Sequence, residues 1–468
     1  MAAARPRAAR RGHPCTKVTE MEQRQWESLS AEEKRAWRID RWRNPEMEFA
    51  SPEAEADYKA RVDRIIAALE LRQPDRVPIC LNIGYWPAVL AGMTAREAMS
   101  DPARAGRAWV DFNLRFQPDG AVPPLPGATS SQMLEALDYR LYSWPGHGVP
   151  DDASFQYNER KWMLPEEYDH LISDFSDFML RVYLPRAVGA FAGFGKVSSL
   201  LDLTELPFVF GHVAGWGSPQ MAEGLERLAA AARAFGEWAP AVFGAFAQLT
   251  VLGFPGYYQA MCKAPFDILS DTLRGTRGMM IDMYRRPEKV LAACERLVPI
   301  ALDWVFKRER DLGSPVIMLP LHKGADGFMS DEQFRTFYWP TLRSVVLGLI
   351  DEGMIPMCFA EGRFGSRLET IMDLPKGKTV WAFDQTDMAR AKETIGTVAC
   401  IQGNVPLSLI HAGTPTEVVD YTRNLIDTAG QGGGYILDVG ASPDDGLEEN
   451  LRAMIDTAKH YGIYQVTP

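Results

Sequence analysis

The chain has 468 residues, enough for two or three domains or for one barrel with additions. Hydrophobic residues make up 46% of it and charged residues 24%, the balance of an ordinary globular protein. The formal net charge of −11 disfavours binding to the phosphate backbone of nucleic acids. No run of about 18 apolar residues is present, so no membrane-spanning helix is predicted. We therefore expect neither a nucleic-acid partner nor a membrane partner.

The cysteines and the N-terminal segment bear on the cellular compartment. Six cysteines are scattered without a CxxC pair, a pattern typical of reduced cysteines in a cytoplasmic protein. The first 15 residues, MAAARPRAARRGHPC, are basic, but no apolar stretch follows them as it would in a secretory signal. Residues 1–18 are therefore predicted to be a flexible basic tail, and the expected localisation is the cytoplasm.

The first half of the chain contains few clear elements. Residues 19–71 are charged and compatible with helices, and Ser30 with Glu33 forms a capping pattern, so we predict an N-terminal helical extension there. The run RVPICLNI (76–83) follows a proline-bearing turn and predicts a buried strand. Residues 118–217 are irregular, and a helix is predicted over Pro219–Phe246. The main domain is expected to occupy residues 72–468.

The second half alternates regularly between strands and helices. A helix predicted over Pro287–Asp311 leads into five apolar strands, VIMLPL, MIPMCFA, TVWAF, VACIQG and YILDV, each followed by a helix. Continuous apolar strands joined by helices indicate a parallel sheet covered by helices. With the strand at 76–83 and room for two more, the pattern predicts an α/β fold of the (β/α)8 barrel type. The competing open sheet is disfavoured because no early strand is followed by G-x-G-x-x-G.

Polar residues end each of the five predicted strands. Active sites of such barrels lie at the carboxyl ends of the strands, so these residues are the candidate site. Any single polar loop residue is weak evidence, but the recurrence at all five ends is informative. The candidates are His322, Lys323, Asp326, Glu361, Arg363, Asp384, Asn404 and Asp438.

Three of these residues are candidates for the chemistry. His322 can donate a proton or ligate a metal, Glu361 suits acid–base work, and Asp326 can orient His322 or ligate a cation. If a divalent metal such as zinc is bound, these three are its predicted ligands, although nothing in the sequence requires a cofactor. The structural alternatives are a helix-capping histidine, a glutamate paired with Arg363 or Arg367, and ordinary turn chemistry for the aspartate.

The other candidates are expected to bind the substrate. Lys323 and Arg363 offer positive charge for a carboxylate or a phosphate, with a surface ion pair as the alternative for each. Polar and aromatic neighbours complete the predicted pocket, with helix capping and core packing as their alternatives. These are Asp384, Asn404, Asp438, Tyr85, Trp86 and Phe359. Several aromatic walls favour a small aromatic or apolar substrate that carries a carboxylate.

Several longer runs of the second half resemble the uroporphyrinogen decarboxylase superfamily. The runs are HKGADGFMSDEQFRTFYWPTL, FAEG, CIQGNVPLSLIHAGTPTEVVDYTRNLID, GGGYIL and EENLRAMIDTAKHYG. The resemblance covers about Arg76 to Tyr464, and its most specific part is GNVP with the following GTP-x-E-V and GGGYIL. It implies a (β/α)8 barrel with a pocket at the carboxyl ends of the strands, and a homodimer.

Two departures from the family pattern narrow the expected activity. Methyltransferase members hold zinc with a His-x-Cys pair before a glycine and a second cysteine after a later glycine, places that correspond here to Phe359, Glu361 and Ala441. A zinc–thiolate site therefore lacks its sulfur ligands. The decarboxylase carries an arginine-rich loop after its first strand, whereas this chain has LNIGYWPA. The many carboxylates of uroporphyrinogen would thus lack their partners.

Three functions remain open on these grounds. The first is a carbon–carbon lyase, by decarboxylation or retro-aldol cleavage, acting on a small aromatic or alicyclic acid. The second is a methyltransferase or O-demethylase that works with a corrinoid protein and a non-standard metal site. The third is a barrel that binds without catalysis. Metal analysis separates the first two, and a Glu361→Gln variant separates the first from the third.

Overall fold

A computed structural model describes residues 26–124, 129–197, 200–258, 260–307 and 313–464. The predicted basic tail, 1–18, lies outside the described residues. Two helices, Ala31–Arg43 and Pro52–Leu69, open the described chain. The predicted cap is confirmed, because Ser30 and Glu33 form a reciprocal capping box at the first helix.

A small sheet lies in the irregular part of the chain. Strand β1 (Tyr142–Pro145) pairs in parallel with β2 (Gly148–Val149) and antiparallel with β3 (Gln156–Tyr157). The remaining strands form a parallel sheet of six in chain order. They are β4 (Ala260–Met261), β5 (Val316–Leu321), β6 (Ile355–Ala360), β7 (Val380–Phe383), β8 (Cys400–Gln402) and β9 (Tyr435–Ile436). The five strands predicted in the second half are confirmed, β5 with its predicted bounds.

Isolated parallel bridges continue the order beyond the sheet. Ile79, in the predicted strand 76–83, bridges Leu437 just after β9, and the neighbouring Cys80 bridges Gly120. The next bridge joins Ala121 to Gly256, shortly before β4. The fold is thus α/β with a six-stranded parallel sheet, and isolated bridges continue from Leu437 after β9 to Gly256 before β4.

Helices occupy most of the remaining chain. The predicted helix from Pro219 runs on to Val251, and the one from Pro287 is described to Phe306. The other α-helices are Trp86–Leu90, Ala95–Ser100, Pro102–Phe116, Ser131–Leu137, Tyr168–Ser173, Phe175–Asp177, Leu184–Ala187, Val209–Trp216, Pro265–Asp267, Thr276–Arg285, Asp331–Gln333, Trp339–Asp351, Leu368–Ile371, Met388–Ile395, Leu407–Ala412, Pro415–Thr428 and Glu448–His460. Short π-helices occupy Phe178–Tyr183, Ile268–Leu273 and Phe334–Tyr338. Short 3-10 helices occupy Pro165–Glu167, Gly189–Lys196 and Leu200–Leu203. No described helix has the length and apolarity needed to cross a bilayer.

The two faces of the sheet belong to two separate hydrophobic clusters. Met318, Met357 and Phe359 pack in one cluster with the N-terminal helices, which contribute Tyr58 and Val62. The alternate residues of the same strands pack in the larger cluster with the helices of the second half. Because side chains alternate along a strand, every second residue faces the cluster that the N-terminal helices cover.

Candidate active site

The strand register brings the predicted residues together at the carboxyl ends of the strands. Leu321 pairs with Ala360, and Ala360 pairs with Phe383. The residues that come next on the three strands are His322, Glu361 and Asp384. They therefore stand at the same level on neighbouring strands. Because side chains alternate along a strand, Glu361 faces the same side of the sheet as Phe359, two residues earlier.

The same level continues across the last two strands. Gln402 pairs with Ile436, and the residues two positions further are Asn404 and Asp438. The Asn404 Nδ2 donates to the backbone oxygen of Asp384 at 3.0 Å. All five strand-end residues, so distant in sequence, thus form one polar layer above the hydrophobic interior.

His322 is held between two carboxylates. Its Nδ1 lies 2.6 Å from Asp271 Oδ2, and its Nε2 lies 3.4 Å from Glu361 Oε1. Burial alone lowers the pKa of His322, but the hydrogen bonds to Asp271 and Glu361 outweigh it and raise the pKa to about 10. The two carboxylates therefore favour the protonated form of the imidazole.

Asp267 clamps the turn that carries His322. It is fully buried, and its Oδ2 accepts from the Tyr338 hydroxyl at 2.6 Å and from the His322 backbone N–H at 3.1 Å. Its Oδ1 accepts from the Lys323 backbone N–H at 3.1 Å. Burial and the neighbouring charge of Asp271 raise the pKa of Asp267 to about 7.

Two lysines surround Asp271 from the other side. Lys263 Nζ donates to Asp271 Oδ2 at 2.6 Å, and Lys323 Nζ lies 3.8 Å from Oδ1. Burial would raise the pKa of Asp271, but His322 and Lys263 hold it below its usual value. The ionised aspartate thus ties the end of β4 to the end of β5.

Asp326 lies apart from His322 in its contacts. Its Oδ1 accepts from Ser366 Oγ at 3.1 Å and lies 3.5 Å from Arg367 Nε. Orientation of the imidazole, one of the roles predicted for Asp326, falls to Asp271 in the structure. Asp326 instead joins the turns after β5 and β6.

Asp438 is the buried member of this polar layer and lies among hydrogen-bond donors. It accepts from the Asn82 and Val439 backbone N–H groups at 3.1 and 2.8 Å, and from Gln402 Nε2 at 2.8 Å. Burial raises its pKa to about 7. These contacts place Asp438 between the end of β8 and the segment at 82, and its side chain is 1% exposed.

Asp384 and Asn404 lie on an open cavity of about 660 Å³. Arg363 lines it as well, and most of the remaining lining residues are polar. They are Gln385, Thr386, Asp387, Pro406, Leu407, Ser408, Tyr421 and Ala441. Burial raises the pKa of Asp384, and nearby Glu361 adds to this. The cavity thus joins three of the predicted substrate-binding residues.

The predicted aromatic walls lie inside the protein. Tyr85 and Trp86 are buried in the larger hydrophobic cluster, and Phe359 belongs to the cluster under the N-terminal helices. None of the three lines the cavity beside Arg363. Their role in substrate binding stays a prediction, and their observed contacts are those of core residues.

Sequence reasoning missed Lys263, Asp267 and Asp271. They follow β4, which has two residues and so shows no readable apolar run. The sequence pattern that indicates them is the spacing of Asp267 and Asp271. They lie four residues apart in a mostly apolar stretch, which places both carboxylates on one face of a helix.

The residues present do not fit the zinc site of the methyltransferase members. Glu361 is the one oxygen donor at the three corresponding positions, since the others are Phe359 and Ala441. Within the described ranges, no three His, Cys, Asp or Glu side chains are grouped so as to hold a metal ion. The predicted set of His322, Asp326 and Glu361 is not such a group.

Comparison with known proteins matches the part of the chain that carries this site. The sequence model of the family described as uroporphyrinogen decarboxylase (URO-D) matches residues 257–461, from before Lys263 to beyond Asp438. This part of the chain is therefore similar to the uroporphyrinogen decarboxylase family. The resemblance predicted from the strand-end motifs is thereby confirmed.

Two curated uroporphyrinogen decarboxylases are similar to part of this chain. A uroporphyrinogen decarboxylase of Cellvibrio japonicus is 28% identical over 197 residues, 41% of this chain and 53% of the relative. One of Teredinibacter turnerae is 24% identical over 175 residues, 36% of this chain and 47% of the relative. The chain therefore spans about half the length of the curated relatives it matches.

A solved structure shares the fold over a longer stretch. A methyltransferase from Methanosarcina mazei superposes with a TM-score of 0.54 over 86% of this chain and 98% of its own, at 13% identity. This likeness concerns the fold alone, and it is consistent with the barrel predicted from the strand pattern.

Proposed function

We propose that the protein is a carbon–carbon lyase that cleaves a small organic acid by acid–base catalysis at the strand ends. We also propose that the six strands and the bridged segments at 79–80 and 120–121 make a (β/α)8 barrel. The observation that carries the function is the position of His322, whose Nδ1 lies 2.6 Å from Asp271 Oδ2 and whose Nε2 lies 3.4 Å from Glu361 Oε1.

Decarboxylation uses this arrangement in a simple order. The reacting carboxylate lies beside Lys323. The positive charge of the lysine binds the acid and stabilises the negative charge that develops on the neighbouring carbon. The bond between the carboxylate and the organic fragment breaks, its electron pair stays on the fragment, and carbon dioxide leaves. His322 donates its proton to that carbon, and solvent restores it. Asp271 keeps the imidazole oriented throughout.

Retro-aldol cleavage is the related reaction that the same groups support. Glu361, half-exposed beside His322, removes the proton of a substrate hydroxyl, and the carbon–carbon bond breaks to leave a carbonyl. His322 then protonates the second fragment. Release of carbon dioxide, or its absence, distinguishes the two reactions.

Methyl transfer with a corrinoid protein is the second candidate. It is supported by Glu361, which stands at a ligand position of the methyltransferase members and lies 3.4 Å from His322 Nε2. The poor fit of the other two positions to zinc argues against it. Metal content separates the candidates, since the lyase is expected to work after dialysis against a chelator.

The decisive experiment compares two histidine variants. Purified wild type is offered aromatic and alicyclic carboxylic acids, and carbon dioxide and new carbonyl groups are measured. His322→Asn is expected to lower kcat about 10²- to 10⁴-fold. His170→Asn is the control, because His170 also pairs with an aspartate, Asp177, at 2.7 Å and has similar exposure, 36% against 32% for His322.

Three results would contradict the lyase. They are equal turnover by wild type and His322→Asn, turnover that is lost with the metal, and no cleavage of any acid in the series. A methyl group moved to a corrinoid acceptor by the metal-loaded protein would establish the second candidate instead.

A further inference from the structure

We propose that the cavity beside Arg363 anchors a second, non-reacting carboxylate of the substrate, one with a hydroxyl or ammonium group on the neighbouring carbon. The substrate class is then a small substituted dicarboxylic acid. This inference rests on the proposed function for the reacting carboxylate, and it adds a separate binding site.

The first observation is an unpaired positive charge. Arg363 is exposed and lines the cavity, and its guanidinium has no ion-pair or hydrogen-bond partner within the described part of the chain. Other arginines of the region are paired, since Arg367 contacts Asp331 at 2.8 Å and Arg390 contacts Glu369 at 3.1 Å. A guanidinium with five free donors suits a carboxylate.

The second observation is an unpaired buried acceptor on the same cavity. Both hydrogens of the Asn404 amide are used, on the backbone oxygens of Asp384 at 3.0 Å and Thr386 at 2.8 Å. Its Oδ1 has no hydrogen-bond partner among the described residues, and the residue is 4% exposed. A buried acceptor without a donor is unfavourable, so a ligand that brings an O–H or N–H is favoured.

The acidic residues of the cavity select the kind of anion. Asp387 is occupied as a helix cap, accepting from the Arg390 backbone N–H at 2.9 Å. Asp384 accepts from the Gly362 backbone N–H at 3.0 Å and from Gln385 Nε2 at 3.2 Å. Two carboxylates on the same cavity as one arginine disfavour a bare anion, and a hydroxyl or ammonium group beside the ligand's carboxylate offers them a hydrogen-bond donor.

The anchor lies within reach of the reacting centre. Arg363 is two residues beyond Glu361 on the chain, and Glu361 contacts His322. Neighbouring strands of a sheet lie about 4.8 Å apart. We therefore expect one small molecule to reach from the cavity to His322, with its reacting carboxylate at Lys323 and the other at Arg363.

Calorimetric titration tests the anchor without any turnover. The probes are pentanoate, glutarate, 2-hydroxyglutarate and glutamate, added to wild type, Arg363→Gln and Arg343→Gln. The wild type is expected to bind at least one substituted dicarboxylate 10-fold or more tighter than glutarate and pentanoate. Arg363→Gln is expected to lose that preference. Arg343→Gln is the control and is expected to keep it, because Arg343 is paired with Asp373 on the helix side.

The two substituted acids identify the donor that the cavity accepts. Tighter binding of 2-hydroxyglutarate assigns a hydroxyl, and tighter binding of glutamate assigns an ammonium. Equal binding of all four acids, binding of none, or a preference unchanged in Arg363→Gln would overturn the inference.

The two proposals fail in different ways. If the preference depends on Arg363 while no acid is cleaved, the anchor stands and the lyase fails. If His322-dependent cleavage is found while binding ignores Arg363, the lyase stands and the anchor fails.

Discussion

At the scale of single residues, His322 is distinguished by its two carboxylate neighbours, Asp271 and Glu361. His322, Glu361 and Asp384 each follow an apolar run, so their place at the strand ends could be read from the sequence. Orientation of His322 was one of the roles considered for Asp326, and in the structure Asp271 makes that contact. Both aspartates are close to glycine or apolar residues in sequence, and only packing decides which one reaches the imidazole.

The raised pKa of His322 makes stability depend on pH. The value of about 10 lies above the ordinary 6.5, so the folded state binds this proton more tightly than the unfolded chain does. The stabilisation is fully present below pH 6.5 and is lost as the pH rises to about 10. We expect His322→Gln to show a smaller fall in the free energy of unfolding over this interval.

Urea denaturation at pH 6.5 and at the upper end of that interval measures this difference. His170→Asn serves as the matched comparison and is expected to follow the wild type more closely. An identical fall in wild type and His322→Gln would show that the ion pairs of His322 do not contribute.

At the scale of elements, the buried clamp on the turn after β5 is the feature that the sequence concealed. Asp267 holds the backbone of both His322 and Lys323 and is itself held by the Tyr338 hydroxyl. Tyr338 lies 71 residues away from Asp267 along the chain, so no local pattern connects them. The clamp exists because neighbouring strand–helix units pack side by side.

Removal of one hydroxyl tests the clamp. Tyr338→Phe is expected to lower the free energy of unfolding by about 1–3 kcal/mol, because it leaves the buried Asp267 short of a donor. Tyr85→Phe is the control, since the Tyr85 hydroxyl is buried and has no hydrogen-bond partner in the described ranges. Chemical denaturation that finds equal losses for both variants would contradict this account.

At the scale of the whole molecule, the N-terminal helices cover one end of the hydrophobic cluster on one face of the sheet. Tyr58 and Val62 pack in one cluster with inward residues of β5 and β6, such as Met318 and Met357. Asp119 fixes this arrangement through its ion pairs, accepting from Arg64 at 2.6 Å and from Arg76 at 2.8 Å. The helix Pro52–Leu69 is thereby bound to the segments that carry the isolated bridges.

Breaking this buried ion pair is expected to be costly. Asp119→Asn leaves two arginines without their fully buried counter-charge, and the expected loss is about 3–5 kcal/mol of unfolding free energy. Asp63→Asn removes an exposed pair with Arg43 and is expected to cost about 0–1 kcal/mol. Thermal or urea unfolding of the two variants measures the contrast, and similar values would contradict the role of Asp119.

The sequence by itself determined the strand–helix alternation of the second half and the polar residues that end its strands, because both are written in local periodicity. β5 and the helix cap at Ser30 needed no knowledge of the fold. The tertiary structure alone decided the partners of those residues and the burial of Tyr85 and Trp86. Contacts such as His322 with Asp271 join segments 51 residues apart, and their geometry follows from sheet register and packing rather than from any pattern along the chain.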